Sequence, residues 1–266
     1  KDLSGLIFLV NGNYFVVIIN SFVLLATGNL TLEIIVKKDI PCLVKIYDSR
    51  ELVEYAEYVK MNIGEKDMLI INCEQNSEEW FKEKLGKPSA SNASKIICND
   101  GKPSKQQQGY LFELVGELLT GKQEESYVNE NMLKGLEREE ESRNLYELLY
   151  DVKVDKVGVI YKDEQRLFLC SPDGLINNEY GLEMKNVIPK TQVKYLLDNE
   201  VPSEYFAQIQ FSLYVTDFKF WDFLSYSPGI KPLIIRVNRD EVFIKKLKIE
   251  LEVFTQELAE LVEKIK

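Results

Sequence analysis

The chain has 266 residues, is 45% hydrophobic and carries a formal net charge of -10, enough apolar material for one large domain or a main domain with an appendage. It contains no histidine, which excludes Ser-His and Cys-His catalysis, His-bound zinc and a histidine general base. The cysteines Cys42, Cys73, Cys98 and Cys170 form no Cys-x-x-Cys pair, so reduced thiols in a cytoplasmic protein are expected rather than a zinc ribbon or an iron-sulfur site. An acidic chain is not the usual nucleic-acid binder, although a local basic channel and bound cations can attract a polyanion beneath an acidic surface.

Residues 3–32 lack any charged side chain, but Asn11-Gly12-Asn13, Asn20-Ser21 and Thr27-Gly28-Asn29 interrupt the run before it reaches membrane-spanning length. The pieces between read as strands at Leu6–Val10, Tyr14–Ile19, Phe22–Ala26 and Leu30–Val36, with Asn11-Gly12 a hairpin signal. A further strand at Cys42–Tyr47 and a helix from Ser49, with Leu52, Tyr55, Ala56 and Val59 on one face, complete a small β-rich appendage over residues 1–72. A signal anchor is the alternative, and it lacks a basic flank and a small-residue cleavage site. No membrane association is expected.

From Cys73 the pattern changes. A helix is expected to Leu85, and after Gly86-Lys87-Pro88-Ser89-Ala90-Ser91 a second one runs to Ile97, capped by Ser91 or Asn92. Its N-terminus would suit a phosphate, and an ordinary N-cap is the competing reading. Lys105–Thr120 is expected to be helical with Tyr110, Leu114 and Leu118 on the apolar face. Asn129–Tyr150 is another helix, with Leu133, Leu136, Leu145 and Leu149 toward the core. Its charge run Glu137-Arg138-Glu139-Glu140-Glu141 is either a solvated face or the source of one metal-directed acid. Strands follow at Val154–Tyr161, Leu167–Cys170 and Leu182–Val187, helices at Thr191–Asp198 and Ser203–Val215, strands at Phe218–Ser225 and Leu233–Val237, and a helix at Asp240–Ile265. The alternation predicts an α/β (α+β) domain over residues 73–266, a central mixed sheet flanked by helices.

The stretch Cys170–Asn186 carries the chemistry. It offers a turn at Ser171-Pro172-Asp173-Gly174 and then Gly181-Leu182-Glu183-Met184-Lys185. Alternate side chains of a strand share a face, so Glu183 and Lys185 project together while Leu182 and Met184 face the packed side. Carboxylate oxygens suit a hard divalent cation such as Mg²⁺, which keeps positions for water and a phosphate oxygen. A lysine beside them supplies positive charge where it is needed in phosphodiester hydrolysis. Taken alone, the same residues read as an ordinary hairpin with an exposed Glu/Lys pair.

Several motifs nevertheless occur in a telling order: Glu74-Gln75 and Trp80, then Gly86 and Ala90-Ser91, then Val159–Glu164, Cys170–Leu175 and Gly181–Lys185, and finally Tyr205-Phe206-Ala207-Gln208-Ile209-Gln210 continuing to Thr216. From about Gln75 to the C-terminus the chain resembles the lambda-type exonucleases, also called YqaJ-like viral recombinases, of the PD-(D/E)xK nuclease superfamily. The resemblance implies a restriction-endonuclease-like core and a Mg²⁺-dependent deoxyribonuclease, with Mn²⁺ a substitute, that degrades one strand of duplex DNA from its 5′ end. It implies Asp173 and Glu183 as metal ligands with the Met184 carbonyl, and Lys185 beside the attacking water. Glu139, four residues before Arg143, is the helical acid chosen over Glu137, Glu140 and Glu141. Gln208, with Gln210 the second choice, would reach the site from its helix to hold Lys185, the water or the DNA backbone. Lys84, Ser89, Ser91, Arg143 and Gln210 are placed for substrate binding. Here the chain departs from the family, with lysine at position 84 where the family has a phosphate-forking arginine and Ser89 for a threonine. Lysine keeps the charge without the bidentate geometry. A ring-shaped homotrimer around double-stranded DNA ends, a single-strand annealing partner and a phage or prophage protein in a bacterial cytoplasm are also implied. An endonuclease or nickase on the same core, and a non-catalytic DNA-end-binding module, are the alternatives.

Overall fold

A computed structural model describes residues 68–123 and 138–266 together with strands at 6–10, 14–19, 22–27 and 32–36. The chain divides into two compact units, Lys1–Glu65 and Lys66–Lys266. In the first, β1 (Leu6–Val10), β2 (Tyr14–Ile19), β3 (Phe22–Thr27) and β4 (Leu32–Val36) form an antiparallel sheet in sequence order. The pairs Val10↔Tyr14, Ile19↔Phe22 and Ala26↔Leu32 flank the three polar breaks. β-branched and aromatic residues suit a pleated surface, which is why the uncharged run pairs as strands. The strand expected at Cys42–Tyr47 and the helix expected from Ser49 lie outside the described residues. Among the described residues no helix is long and apolar enough to cross a membrane.

The second unit opens with β5 (Leu69–Ile71), which pairs antiparallel with β6 (Val159–Tyr161), itself paired with β7 (Leu169–Cys170). Residues 69–71, read from sequence as the end of the appendage, therefore belong to the sheet of the larger unit. Helix α1 (Glu78–Lys84) begins where the Ser77 side chain accepts from the Trp80 amide, with Glu78 and Glu79 in its first turn and Lys82 and Lys84 in its last. That charge order complements the helix dipole.

The helix expected from Ser91 or Asn92 is much shorter. Ala90–Asn92 is a 3-10 turn and α2 spans only Ala93–Ile96, with no side-chain cap on either. The side chains expected to cap it are used locally: Ser91 Oγ lies 3.1 Å from Ser89 Oγ, and Asn92 Nδ2 donates to Ser89 Oγ at 3.3 Å. A four-residue helix offers no dipole for a phosphate, so that route to anion binding is withdrawn.

Helix α3 (Gln107–Thr120) ends at Gly121 in a left-handed cap. Its Leu118, expected in the core, is 41% exposed. Helix α4 (Glu139–Tyr150) carries Glu139, Glu140 and Glu141 in its first turn; Leu133, Leu136 and Glu137 lie outside the described residues. Its buried stripe is Ser142, Arg143 and Tyr146 rather than Leu149. The reason is polar: Tyr146 Oη donates to buried Asp222 at 2.6 Å, and Arg236 closes the pair with bonds of 2.8 and 2.9 Å. This network fixes the rotation of α4 against the sheet.

The remaining elements are β8 (Gly174–Ile176), β9 (Tyr180–Asn186), α5 (Pro189–Asp198), α6 (Ser203–Thr216), β10 (Phe220–Tyr226), β11 (Leu233–Asn238) and α7 (Glu241–Ile265). Their sheet runs β11-β10-β9-β8, with β9 and β10 parallel and the outer pairs antiparallel. The strand expected over Val154–Tyr161 is limited to β6, while Asp155 makes an isolated bridge to Leu175. Asn177 and Asn178, at φ 52° and 54°, turn the β8–β9 hairpin in the left-handed region that asparagine tolerates.

The alternation of β9 and β10 builds two cores. Leu182, Met184 and Leu224 pack toward α4 with Tyr146, Val154 and Ile176. Trp221 and Phe223 enter the larger core with Phe211 of α6 and Phe254 of α7. Gly181 is the pinch point, since a Cβ there would lie 2.2 Å from the Trp221 ring. Gly181→Ala is expected to cost about 1–3 kcal/mol or more, because the fully buried indole has nowhere to move. Chemical denaturation of the two proteins measures it.

Candidate active site

The site is assembled by strand register. Gly174 pairs with Leu182, and the Asp173 amide donates to the Leu182 carbonyl at 3.1 Å. Asp173 thus stands at the end of the hairpin, close enough for Glu183 to act on its carboxyl. Met184 N donates to Asp173 Oδ2 at 2.5 Å, which fixes the carboxylate against β9. On β9 the odd positions face α6, so Glu183 and Lys185 emerge together while Leu182 and Met184 stay in the core.

Glu183 is only 3% exposed, and its Oε1 accepts from Lys185 Nζ at 2.5 Å and from Gln208 Nε2 at 2.7 Å. Lys185 Nζ also sits 5.0 Å from the centroid of the Tyr205 ring. Glu139 is turned onto Arg143, whose Nη2 donates to Glu139 Oε1 at 2.5 Å and to the Asp173 carbonyl at 3.2 Å. Arg143 Nη1 reaches Glu140 at 3.1 Å, and Lys156 shares that carboxylate.

Burial and the neighbouring Glu183 push the Asp173 carboxyl up to about 7, while Lys185 and the Met184 amide oppose the shift and Glu139 adds to it. Burial works against the Lys185 charge, yet Glu183 and Asp173 outweigh it and hold that lysine above its ordinary range. At Asp173, burial and the neighbouring Glu183 thus outweigh the opposing lysine.

Among the described residues, no three Cys, Asp or Glu side chains are gathered as a ready metal cluster. Glu139 is occupied by Arg143, and Glu183 by Lys185 and Gln208 through one oxygen. The donor chemistry nevertheless fits a hard cation. Asp173 Oδ1 and Glu183 Oε2 have no hydrogen-bond partner among the described residues. Two such oxygens with water suit Mg²⁺, which rarely takes an all-protein cage.

The structure separates the other expected residues. Gln210 is fully buried and faces away, donating to the Asn238 carbonyl at 2.9 Å and accepting from the Asp240 amide at 2.9 Å. Two residues on a helix differ by about 200° in direction, so Gln208 and Gln210 cannot serve one site. Arg143, 4% exposed, is spent on carboxylates and the Asp173 carbonyl. Lys84 Nζ lies 3.7 Å from the Trp80 ring centroid, and burial, opposed by Glu117, lowers its pKa to about 8. No hydrogen bond or ion pair holds the Lys84 ammonium among the described residues, and none joins it to Ser89 or Ser91.

Some supports were invisible as chemistry in the sequence. Gln75 Nε2 donates to the carbonyls of Val157 and Pro172 at 3.0 and 2.8 Å, pinning the residue before Asp173. Trp80 Nε1 and Gly158 O both engage Ser171 Oγ, at 2.9 and 2.5 Å. Cys73, Gln75, Glu139, Arg143, Lys156 and Asp173 are among the residues around a cavity of about 200 Å³ beside the acids.

A mixed sheet flanked by helices defines an α/β fold with a restriction-endonuclease-like core, and its hairpin carries two acids and a lysine. Residues 79–219, more than half the chain, match the YqaJ-like viral recombinase domain, and the chain belongs to that family. Among solved structures, an alkaline exonuclease (LHK-Exo) from Laribacter hongkongensis is similar at a TM-score of 0.65 and 29% identity, covering 71% of this chain and 96% of that one. LHK-Exo in complex with dAMP matches at 30% identity, with the same TM-score and coverage. A phage-related exonuclease from Haemophilus somnus 129PT shares the fold at 15% identity and a TM-score of 0.53, over 68% of this chain and 96% of that one. An uncharacterized protein of Acanthamoeba polyphaga mimivirus is 26% identical over 191 residues, 66% of this chain and 33% of its own. This chain thus spans about a third of that viral relative.

Proposed function

We propose that this protein is a Mg²⁺-dependent exodeoxyribonuclease that degrades one strand of duplex DNA from its 5′ end. It releases mononucleotides and leaves a 3′ single-stranded tail for phage-type recombination. The observation that carries the hydrolytic reading is the Asp173 carboxyl held against β9 beside Glu183, with Lys185 Nζ 2.5 Å from Glu183 Oε1. The family membership and the similarity to alkaline exonuclease support action at DNA ends.

Asp173, Glu183 and the Met184 carbonyl would hold Mg²⁺, or Mn²⁺ in its place. A bound divalent ion supplies Lewis-acid polarisation of the phosphate and a water of lowered pKa. The chain's own residues do the rest. Gln208 and Lys185 fix one oxygen of Glu183 and leave the other toward the reacting centre. Lys185 has three N–H donors, of which Glu183 takes one. A remaining one would reach the attacking water or a non-bridging oxygen and stabilise negative charge as it builds. Arg143 holds both the Asp173 backbone and Glu139, so the helical acid stands beside the site rather than in solvent.

Enclosure of the duplex by a homotrimeric ring would explain how an acidic chain retains its substrate with few tight contacts. A single-strand annealing protein would take the exposed 3′ tail. Closed circular duplex separates this reading from a nicking or endonucleolytic one: it stays intact while the linear form is consumed, and its cleavage would replace the exonuclease by an endonuclease.

Lys84 is proposed to meet the DNA's 5′-phosphate, with Ser91 and Ser89 nearby in sequence. Its ammonium rests on Trp80 without an ion pair among the described residues, so an incoming phosphate displaces no salt bridge. Lys84→Ala is expected to slow attack on 5′-phosphorylated ends several-fold more than on 5′-hydroxyl ends, on the order of one charge-assisted contact. Equal slowing of both ends in a rate comparison removes Lys84 from end recognition.

A further inference from the structure

We propose that Tyr205 is a positioning residue whose aromatic face stations the Lys185 ammonium beside Glu183. The inference rests on the hydrolase reading above and adds a residue to it. Tyr205 stands three positions before Gln208 on α6, so both side chains leave the same face of the helix. Gln208 bonds Glu183 at 2.7 Å, and the Tyr205 ring lies 5.0 Å from Lys185 Nζ. One helix face thereby holds both members of the Glu183–Lys185 pair.

The ring is itself held. It stacks on Phe223 with centroids 5.4 Å apart and planes inclined by 29°. Phe223 is the parallel partner of Glu183 in the β9–β10 register. The seat of Tyr205 is thus built from the strand next to the one that carries the reacting side chains, and from the helix that carries Gln208. Neither support is a loop.

The geometry also divides the donors of Lys185. One N–H is committed to Glu183 Oε1 at 2.5 Å. The tyrosine face, within the range over which a ring quadrupole attracts a cation, covers one side of the ammonium. A flexible lysine would otherwise rotate among several staggered arrangements, and fixing two directions aims the remaining donor toward the reacting phosphate or water. The attraction comes from the ring, so phenylalanine should serve and an aliphatic side chain should not. Burial of Glu183 beside the same lysine makes its orientation more consequential than that of a solvent-exposed one.

The test compares Tyr205→Phe, Tyr205→Leu and the unaltered chain with Mg²⁺ and linear duplex. Tyr205→Phe should retain activity within about threefold, while Tyr205→Leu should lower kcat about tenfold at nearly unchanged KM, the scale of one partly desolvated cation–ring contact. Far-UV circular dichroism and melting confirm that each is folded, and Tyr205→Met, which keeps more of the buried volume, replaces the leucine variant if that one is not. A second readout needs no hydrolysis: labelling of Lys185 by an amine-reactive reagent, quantified by peptide mass spectrometry. It should rise about fivefold in Tyr205→Leu and stay unchanged in Tyr205→Phe, on the order of the freedom lost with one such contact. Labelling and kcat both unchanged in a folded aliphatic variant would overturn the assignment. If the unaltered chain hydrolyses no DNA, the hydrolase reading falls, and the labelling ratio alone decides whether the ring holds the lysine.

Discussion

Asp173→Asn is expected to yield a folded protein that hydrolyses duplex DNA at least ~10²–10³-fold more slowly, the loss typical of removing one charge-stabilising group from a reacting centre. Asparagine preserves an acceptor for the Met184 amide, so the contact that holds residue 173 against β9 survives. What disappears is the negative charge and the oxygen left open toward the cation. The fold should not suffer. Burial and Glu183 raise the Asp173 carboxyl to about 7, above the unfolded value of about 3.9. The folded protein therefore keeps a proton that the unfolded chain has lost, and stability falls as pH rises from about 4 to about 7. Above pH 7 the cost is complete, and asparagine does not incur it. With a chelator present at pH 8, the variant should melt no lower than the unaltered chain. Near-normal digestion by the pure variant would remove Asp173 from the chemistry.

Lys185→Ala should have an effect of similar size, about 10²–10³-fold on kcat, for a different reason. It removes the ammonium that faces Glu183 at 2.5 Å and leaves that 3%-exposed carboxylate with Gln208 as its remaining side-chain partner. An uncompensated buried charge costs stability, so this variant, unlike Asp173→Asn, should also melt lower unless a divalent cation is added. DNA binding measured with Ca²⁺ in place of Mg²⁺ should change little, because one lysine contributes a small part of the electrostatic contact with a duplex. A variant with intact kcat would show that Glu183 works without its lysine.

The parts of this protein most legible in its sequence are those governed by local periodicity. The alternation in Gly181-Leu182-Glu183-Met184-Lys185 determines which side chains meet, and the hairpin places them as the spacing implies. The pairing of Gln208 rather than Gln210 with Glu183 follows from the helical period, although sequence alone left both in play. Legibility failed where tertiary hydrogen bonds override local preference. Ser89, Ser91 and Asn92 have the composition of a helix cap but bond one another. Tyr146 turns α4 toward Asp222, which leaves Leu149 in solvent. Gln75 and Tyr205 stood inside recognisable motifs, yet their partners are 97 and 20 residues away in Pro172 and Lys185. No local pattern encodes such contacts.

In the proposed function, Lys84 and the Asp173–Glu183–Lys185 centre would make separable demands on the substrate, one for the end and one for the bond. By the resemblance read from sequence, the chain would depart from its family at the first, with Lys84, and keep Asp173, Glu183 and Lys185 at the second. Selectivity among DNA ends should therefore vary more readily than chemistry, since replacing a forked guanidinium by a point charge alters geometry without removing attraction.

The most direct measurement is incubation of linear duplexes labelled separately at their 5′ and 3′ ends, with and without 5′-phosphate, in Mg²⁺. Early release of the 5′ label as mononucleotide, while the 3′ label remains on a lengthening single strand, is the expected result. Early release of the 3′ label as mononucleotide would contradict the polarity, and retention of both labels on intact duplex would contradict the hydrolytic site at Asp173, Glu183 and Lys185.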